Sequence, residues 1–153
     1  MSRFMEAAYK EALKGMRNNE GGPFGAVVVR DDKIVARAHN QVIVKHDPTA
    51  HAEMQAIRKA SRKLKRFDLS DCDIYTVGEP CPMCFAAIHW AHIRKVYFGC
   101  TEKEAGSIGF DDDYLYRILK GEEKDSISEI EVDHGTCIKA FREWKNKKDK
   151  TPY

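Results

Sequence analysis

Two short stretches of this chain carry side chains whose types and spacing suit metal chemistry: His51-Ala52-Glu53 and Pro80-Cys81-Pro82-Met83-Cys84. Each alone has an ordinary reading. A lone histidine is usually structural, and a lone Cys-x-x-Cys can be a redox pair or half of a structural zinc site. Together they offer one imidazole and two thiolates to a single ion. Cys81 and Cys84 stand three positions apart, on one face at the start of a helix. His51 and Glu53 would point nearly opposite ways in mid-helix. In a first turn, with side chains tilted toward the N-terminus, both can address one point beyond the helix end. Two helix N-termini would then converge on one metal, and their partial positive charge favours thiolate at Cys81 and Cys84. A structural zinc site normally closes four ligands, whereas three leave a position for water. No fourth ligand is evident; His46 is the nearest decoy. One catalytic Zn²⁺ per chain is therefore expected, held by His51, Cys81 and Cys84. Two thiolates cancel the charge of the ion, so its water should be less acidic than at a three-histidine site and a nearby base is needed. Glu53 is placed to take that proton and later deliver it to a leaving group.

The elements that must position these groups can be read from periodicity and punctuation. Residues 3–17 form an amphipathic helix by the spacing of Phe4, Ala8, Ala12, Leu13 and Met16, and Asn18 to Pro23 stops it. Ala26 to Val29 and Ile34 to Ala38, turned by Asp31-Asp32-Lys33, read as a hairpin, with Asn40 near its end. Asp47 can cap a helix that has Pro48 at its first position and runs to about Lys63. Cys72 to Val77 and Val96 to Cys100 read as parallel strands around a short helix from Pro80 to Trp90, which is apolar nearly all round and expected to be buried. Asp112 to Lys120 reads as a short helix, Ser126 to Val132 as an edge strand and Gly135 to Lys147 as a last helix. The expected fold is a single-domain, three-layer α/β/α sandwich over residues 1–153, around a mixed five-stranded sheet.

Length and charge narrow the classes. A chain of 153 residues fits one domain, at the usual ~100–200 residues each. It can bury a core without a metal or disulfide to staple it. A content of 42% hydrophobic and 33% charged residues is that of a soluble globular protein rather than a disordered one. No apolar run reaches the ~18 residues of a membrane span. Five cysteines, an odd number, with no apolar leader at the N-terminus, argue against a disulfide framework and for a cytoplasmic protein. Twenty-six basic against 24 acidic residues leave +2, too near neutral to imply a nucleic-acid partner.

In this order, the two motifs match the His-x-Glu and Pro-Cys-x-x-Cys pattern of zinc deaminases. From Gly22 to the C-terminus the chain resembles the cytidine deaminase-like superfamily. Gly25-Ala26-Val27, Asn40, the run Asp47 to Glu53 and the run Glu79 to Cys84 carry that resemblance. More selective features resemble the bacterial guanine deaminases: Phe24 within Gly22-Pro23-Phe24-Gly25, the segment Gly109-Phe110-Asp111-Asp112 followed by Tyr114 and Tyr116, Trp90, and a basic tail from Lys145 ending in Tyr153. The resemblance implies hydrolytic deamination of guanine to xanthine and ammonia. It implies Glu53 and Asp112 as catalytic residues, with Asp112 binding the exocyclic amine and helping to shuttle protons. Phe24 and Trp90 would hold the purine plane, Asn40 would hydrogen-bond its edge, and Ala52 and Tyr153 would complete the substrate contacts. It further implies a homodimer, with residues 145–153 as a lid that is swapped between subunits in related enzymes.

Two other readings compete. A tRNA adenosine deaminase shares the zinc chemistry, and Arg58-Lys59 to Lys65-Arg66 hints at its basic groove, but the acidic run Asp111-Asp112-Asp113 would meet phosphate badly. A cytosine, nucleoside or guanosine deaminase is a further enzyme option. A non-catalytic zinc module, serving as a scaffold for a partner, would be free to lose Glu53, which is present.

Overall fold

A computed structural model describes residues 2–152. The order of elements is α1 (Arg3–Arg17), β1 (Gly25–Arg30), β2 (Lys33–His39), α2 (Val42–Lys45), α3 (Ala52–Leu64), β3 (Asp73–Gly78), α4 (Pro82–Trp90), β4 (Lys95–Cys100), α5 (Glu102–Ser107), α6 (Asp112–Leu119) and α7 (His134–Asn146). The sheet order is β2-β1-β3-β4, antiparallel except for the parallel β3–β4 pair. The hairpin turns on Asp31 and Asp32, both at positive φ (46° and 55°). That is the backbone a two-residue primed turn demands and that aspartate tolerates.

Alternation along β1 divides the core. Val27 and Val29 face α1 and pack with Phe4, Ala7 and Ala8. Ala26 and Val28 face α3 and α4, and pack with Ala52, Ala56, Ala60, Ile74 and Ile88. The expected three layers are thus α1, the sheet, and α3 with α4. Small residues dominate the α3 face, which lets the helix ride close to the strands. Another close approach is on the other side, where α1 crosses the start of β1. A Cβ at Gly25 would stand 2.1 Å from the Ala8 carbonyl oxygen and 2.5 Å from the Ala12 nitrogen, so only glycine fits.

Four expectations are corrected. The sheet has four strands, not five, because residues 126–132 form no strand within the chain. Their alternation buries nothing here: Ile127, Ile130 and Val132 are each more than two-thirds exposed. The helix expected from Pro48 begins four residues later, with His51 as its N-cap. Asp47 caps a tight turn instead, accepting from the Thr49 backbone N–H at 2.8 Å and the Thr49 hydroxyl at 2.7 Å. Two short helices, α2 and α5, were not expected; α5 begins with a capping box in which Thr101 and Glu104 satisfy each other's backbone N–H groups. Finally, α4 is not buried all round. Cys84 and Ile88 face inward, while Phe85 and Trp90 are 52% and 66% exposed.

The α1–β1 crossing sets a test. Gly25→Ala pushes a methyl into main-chain atoms that cannot move aside, so denaturant unfolding should show a loss of ~2 kcal/mol or more, in the range of overpacked cores. The control is Gly106→Ala, whose Cβ meets nothing within 4 Å; it should be neutral or stabilising by a few tenths of a kcal/mol.

Candidate active site

Both motifs sit at helix starts. His51 is the N-cap of α3 and Cys81 the N-cap of α4, each with extended backbone (ψ 157° and 166°) and neither using its side chain to cap. An N-cap histidine or cysteine leaves its helix N–H groups free and points its own side chain past the helix end. Pro82 at the first helical position of α4 fixes the turn that brings Cys84 back over Cys81. The His51 nitrogen and the Cys81 and Cys84 sulfurs lie within 4.8 Å of one another, with His51 Nδ1 3.6 Å from Cys81 Sγ. Among the described residues this is the one cluster of histidine, cysteine and acidic side chains close enough to share an ion. One nitrogen and two sulfurs, two of the three residues buried, are a donor set that suits Zn²⁺. The three residues are positioned to bind it.

Glu53, the second residue of α3, lies beneath this cluster and is buried. Its Oε2 is 3.5 Å from Cys84 Sγ. The Thr76 hydroxyl reaches both Glu53 Oε1 (3.1 Å) and the Gly78 carbonyl oxygen (2.9 Å), so one hydrogen is shared between two acceptors and the carboxyl is held without being fully neutralised. Burial pushes the Glu53 carboxyl above the usual carboxylate range, and the Cys81 charge adds to it. The Cys84 thiol, followed by the His51 ring, pulls Cys81 down to about 4. The hydrogen bond to Cys81 likewise raises His51. Cys84, at the other end of the thiol pair, is pushed up.

A pocket of about 330 Å³ opens over these groups. It gathers Phe24, Asn40, His51, Glu53, Cys81 and Asp112 in one wall-to-wall arrangement. Phe24 is held edge-on by Phe110, with ring centroids 4.8 Å apart at 88°. Asn40 is buried and uses Oδ1 to accept the Val42 N–H at 3.1 Å, which fixes its amide so that Nδ2 is the free end. Burial, and then the Cys81 charge, raises the Asp112 carboxyl.

Two residues expected at the site, Ala52 and Trp90, are not brought into this pocket. Ala52 is fully buried in the core against Ala56 and Ile88. Trp90 lies at the far end of α4, lining shallow surface grooves with Phe85, His89 and Ala91. Tyr153 lies outside the described residues. Conversely Phe110, Glu79 and Ile43 line the pocket without having been singled out. Glu79 accepts the Glu102 N–H and so ties the α4 approach to α5. Glu79 and Phe110 stand within the motifs that carry the resemblance but are given no role there, and Ile43 carries no signal.

Comparison with known proteins agrees with this geometry. The model for the cytidine and deoxycytidylate deaminase zinc-binding region matches residues 1–100. A guanine deaminase of Bacillus subtilis (strain 168) is 41% identical over 151 residues, covering 98% of this chain and 97% of its own. The X-ray structure of guanine deaminase from Bacillus subtilis superposes with a TM-score of 0.93 at 40% identity, over 100% of this chain and 99% of that one. A tRNA-specific adenosine deaminase of Aquifex aeolicus (strain VF5) is 40% identical over 105 residues, 69% of each chain. The zinc-binding region matched in sequence is the one that folds into two facing helix starts with an acid beneath them, and on both grounds the chain belongs to the cytidine and deoxycytidylate deaminase family of zinc-dependent hydrolytic deaminases.

Proposed function

We propose that this enzyme hydrolyses guanine to xanthine and ammonia. The observation that carries the reading is the origin of Phe110 and Asp112. Both come from beyond residues 1–100, the part matched by the family model, yet both line the same pocket as Glu53. Likeness to guanine deaminase runs through this segment to nearly the end of the chain. Asn40 supports it as well. Its amide offers hydrogens to the pocket, and the O6/N7 edge of guanine presents acceptors alone, whereas adenine and cytosine present an amine.

Bound zinc would supply Lewis-acid activation of the attacking water. The chain does the rest. Phe24, braced by Phe110, holds the base plane, and Asn40 fixes its register. Glu53 takes a proton from the water and returns it to the departing amine; a carboxyl raised by burial suits both halves of that task. Asp112, also raised, binds the exocyclic amine from the other side and carries protons. Three of the four basic side chains on α3 are engaged within the chain, which disfavours RNA. Lys59 and Lys63 donate to the Arg37 and Val35 carbonyls of the edge strand β2 at 3.0 and 3.1 Å, and Arg58 lies 3.9 Å from Asp47. Among the described residues no helix is long and apolar enough to cross a membrane. All five cysteines are free of disulfides.

We further propose a homodimer with exchanged C-terminal segments, residues 145–153 forming a lid on the partner's site. β4 is a sheet edge whose Val96 and Phe98 are exposed, beside exposed Phe85. Residues 126–132 have a strand's alternation and no strand to join, and α7 buries no residue. A long apolar edge left open is an aggregation hazard that native chains cover.

Two outcomes are expected. Purified protein should release ammonia from guanine and not from guanosine, adenine, cytosine, cytidine or tRNA. In that assay Cys84→Ala should lose zinc and turnover together, while Glu53→Gln keeps zinc and loses about 10²–10⁴-fold in kcat; faster release from tRNA, or full zinc in Cys84→Ala, contradicts the assignment. For the exchange, chains truncated after residue 144 mixed with Glu53→Gln chains should regain activity above either parent, because a hybrid dimer then has one complete site. No regain, with hybrids demonstrated by mass, would place the tail on its own subunit.

A further inference from the structure

Behind the Asn40 wall of the pocket lies a polar cluster that the chemistry above does not use. His39, the last residue of β2, is buried, and each of its ring nitrogens meets a carboxylate. Nδ1 is 2.9 Å from Glu11 Oε2 of α1, and Nε2 is 2.9 Å from Glu20 Oε2 in the loop after α1. A neutral imidazole carries one N–H and satisfies one of these acids; with hydrogen on both nitrogens the ring donates to both. α1 is shaped for the ring: a Cβ at Gly15 would stand 2.5 Å from His39 Cδ2. The charged groups that meet the ring come from the two elements packed on it, Glu11 from α1 and Glu20 from the loop. Gln41, donating to the same Glu20 oxygen at 2.9 Å, is neutral. That amide, followed by the His39 ring, holds the Glu20 carboxyl down to about 2.

The cluster holds the pocket wall through Glu20. The Glu20 carbonyl oxygen accepts the Ile43 and Val44 N–H groups at 3.1 and 3.2 Å, anchoring α2. Gly21, the next residue, packs so tightly that a Cβ there would lie 2.1 Å from Asn40 Oδ1. Asn40 itself follows His39 and donates its N–H to the Phe24 carbonyl oxygen at 3.0 Å. Four residues that line the pocket, Gly21, Asn40, Val42 and Ile43, therefore hang on one side-chain cluster.

We infer that His39, clamped between Glu11 and Glu20, is a positioning residue that fixes the Asn40 wall and so sets affinity for the base, with little bearing on the chemical step. The kinetic part of this inference rests on the guanine reading. Its test uses zinc-loaded full-length protein carrying Glu20→Gln, His39→Leu or His39→Gln, with amide exchange of the 40–46 segment by mass spectrometry, zinc content, and KM and kcat for guanine. Losing a hydrogen bond to a charged group should speed exchange in 40–46 about tenfold or more and raise KM about fivefold or more, with kcat and zinc nearly unchanged. His39→Gln, which keeps a donor for one acid, should fall between wild type and His39→Leu. Should His39→Leu fail to fold, Glu20→Gln carries the test alone. Wild-type exchange and KM in Glu20→Gln, or a lowered melting temperature with KM unchanged, would overturn the inference. If the wild-type protein leaves guanine untouched, the substrate reading fails by itself, and exchange rates alone decide the clamp.

Discussion

The constraint on which the structure turns is the convergence of two helix N-termini on one point. His51 and Cys81 cap α3 and α4 with extended backbone and leave their side chains pointing past the helix ends. Everything else serves that meeting. The parallel β3–β4 pair carries α4 across to the α3 side, the small residues Ala52, Ala56 and Ala60 let α3 lie close on the sheet, and Gly25 lets α1 close the opposite face. The Cys84 thiol, followed by the His51 ring, then holds the Cys81 thiol low, as a zinc ligand requires, and a helix N-terminus favours the same thiolate.

Burial gives the acids their character. Glu53 is buried beside the shared Thr76 hydrogen and the Cys84 thiol, and Asp112 lines the same pocket; both carboxyls are raised by desolvation first. On the guanine reading, two acids of raised proton affinity lining one pocket are suited to take up and return protons as an amine leaves as ammonia. The polar cluster at His39 is the counterpart outside the pocket, where one imidazole bridges two carboxylates and fixes the wall instead of moving protons.

Much of this was legible in the sequence because it depends on local spacing. The ligands His51, Cys81 and Cys84, Glu53 beside them, the hairpin and the βαβ crossover all follow from motifs and periodicity. What was misread depended on long-range contacts. Asp47-Pro48 has the grammar of a helix start, but the Asp47 carboxylate is taken by Thr49 and the helix waits until His51. Residues 126–132 alternate like a strand, but a strand needs an edge to join, and within one chain β4 is not paired with them. Trp90 is apolar and near the motif in sequence, yet the length of α4 carries it away from the pocket. Ile43 reaches the pocket only because Glu20 anchors α2, a contact across the loop that no spacing rule announces.

The central claim is that this pocket directs water at the amine-bearing carbon of guanine. The most direct measurement is turnover of guanine by the zinc-loaded protein in oxygen-18 water, with the products identified by mass spectrometry. The account predicts xanthine carrying a single oxygen-18 at C2, with ammonia released in equal amount. Guanine recovered unchanged, or xanthine without the label, would contradict it.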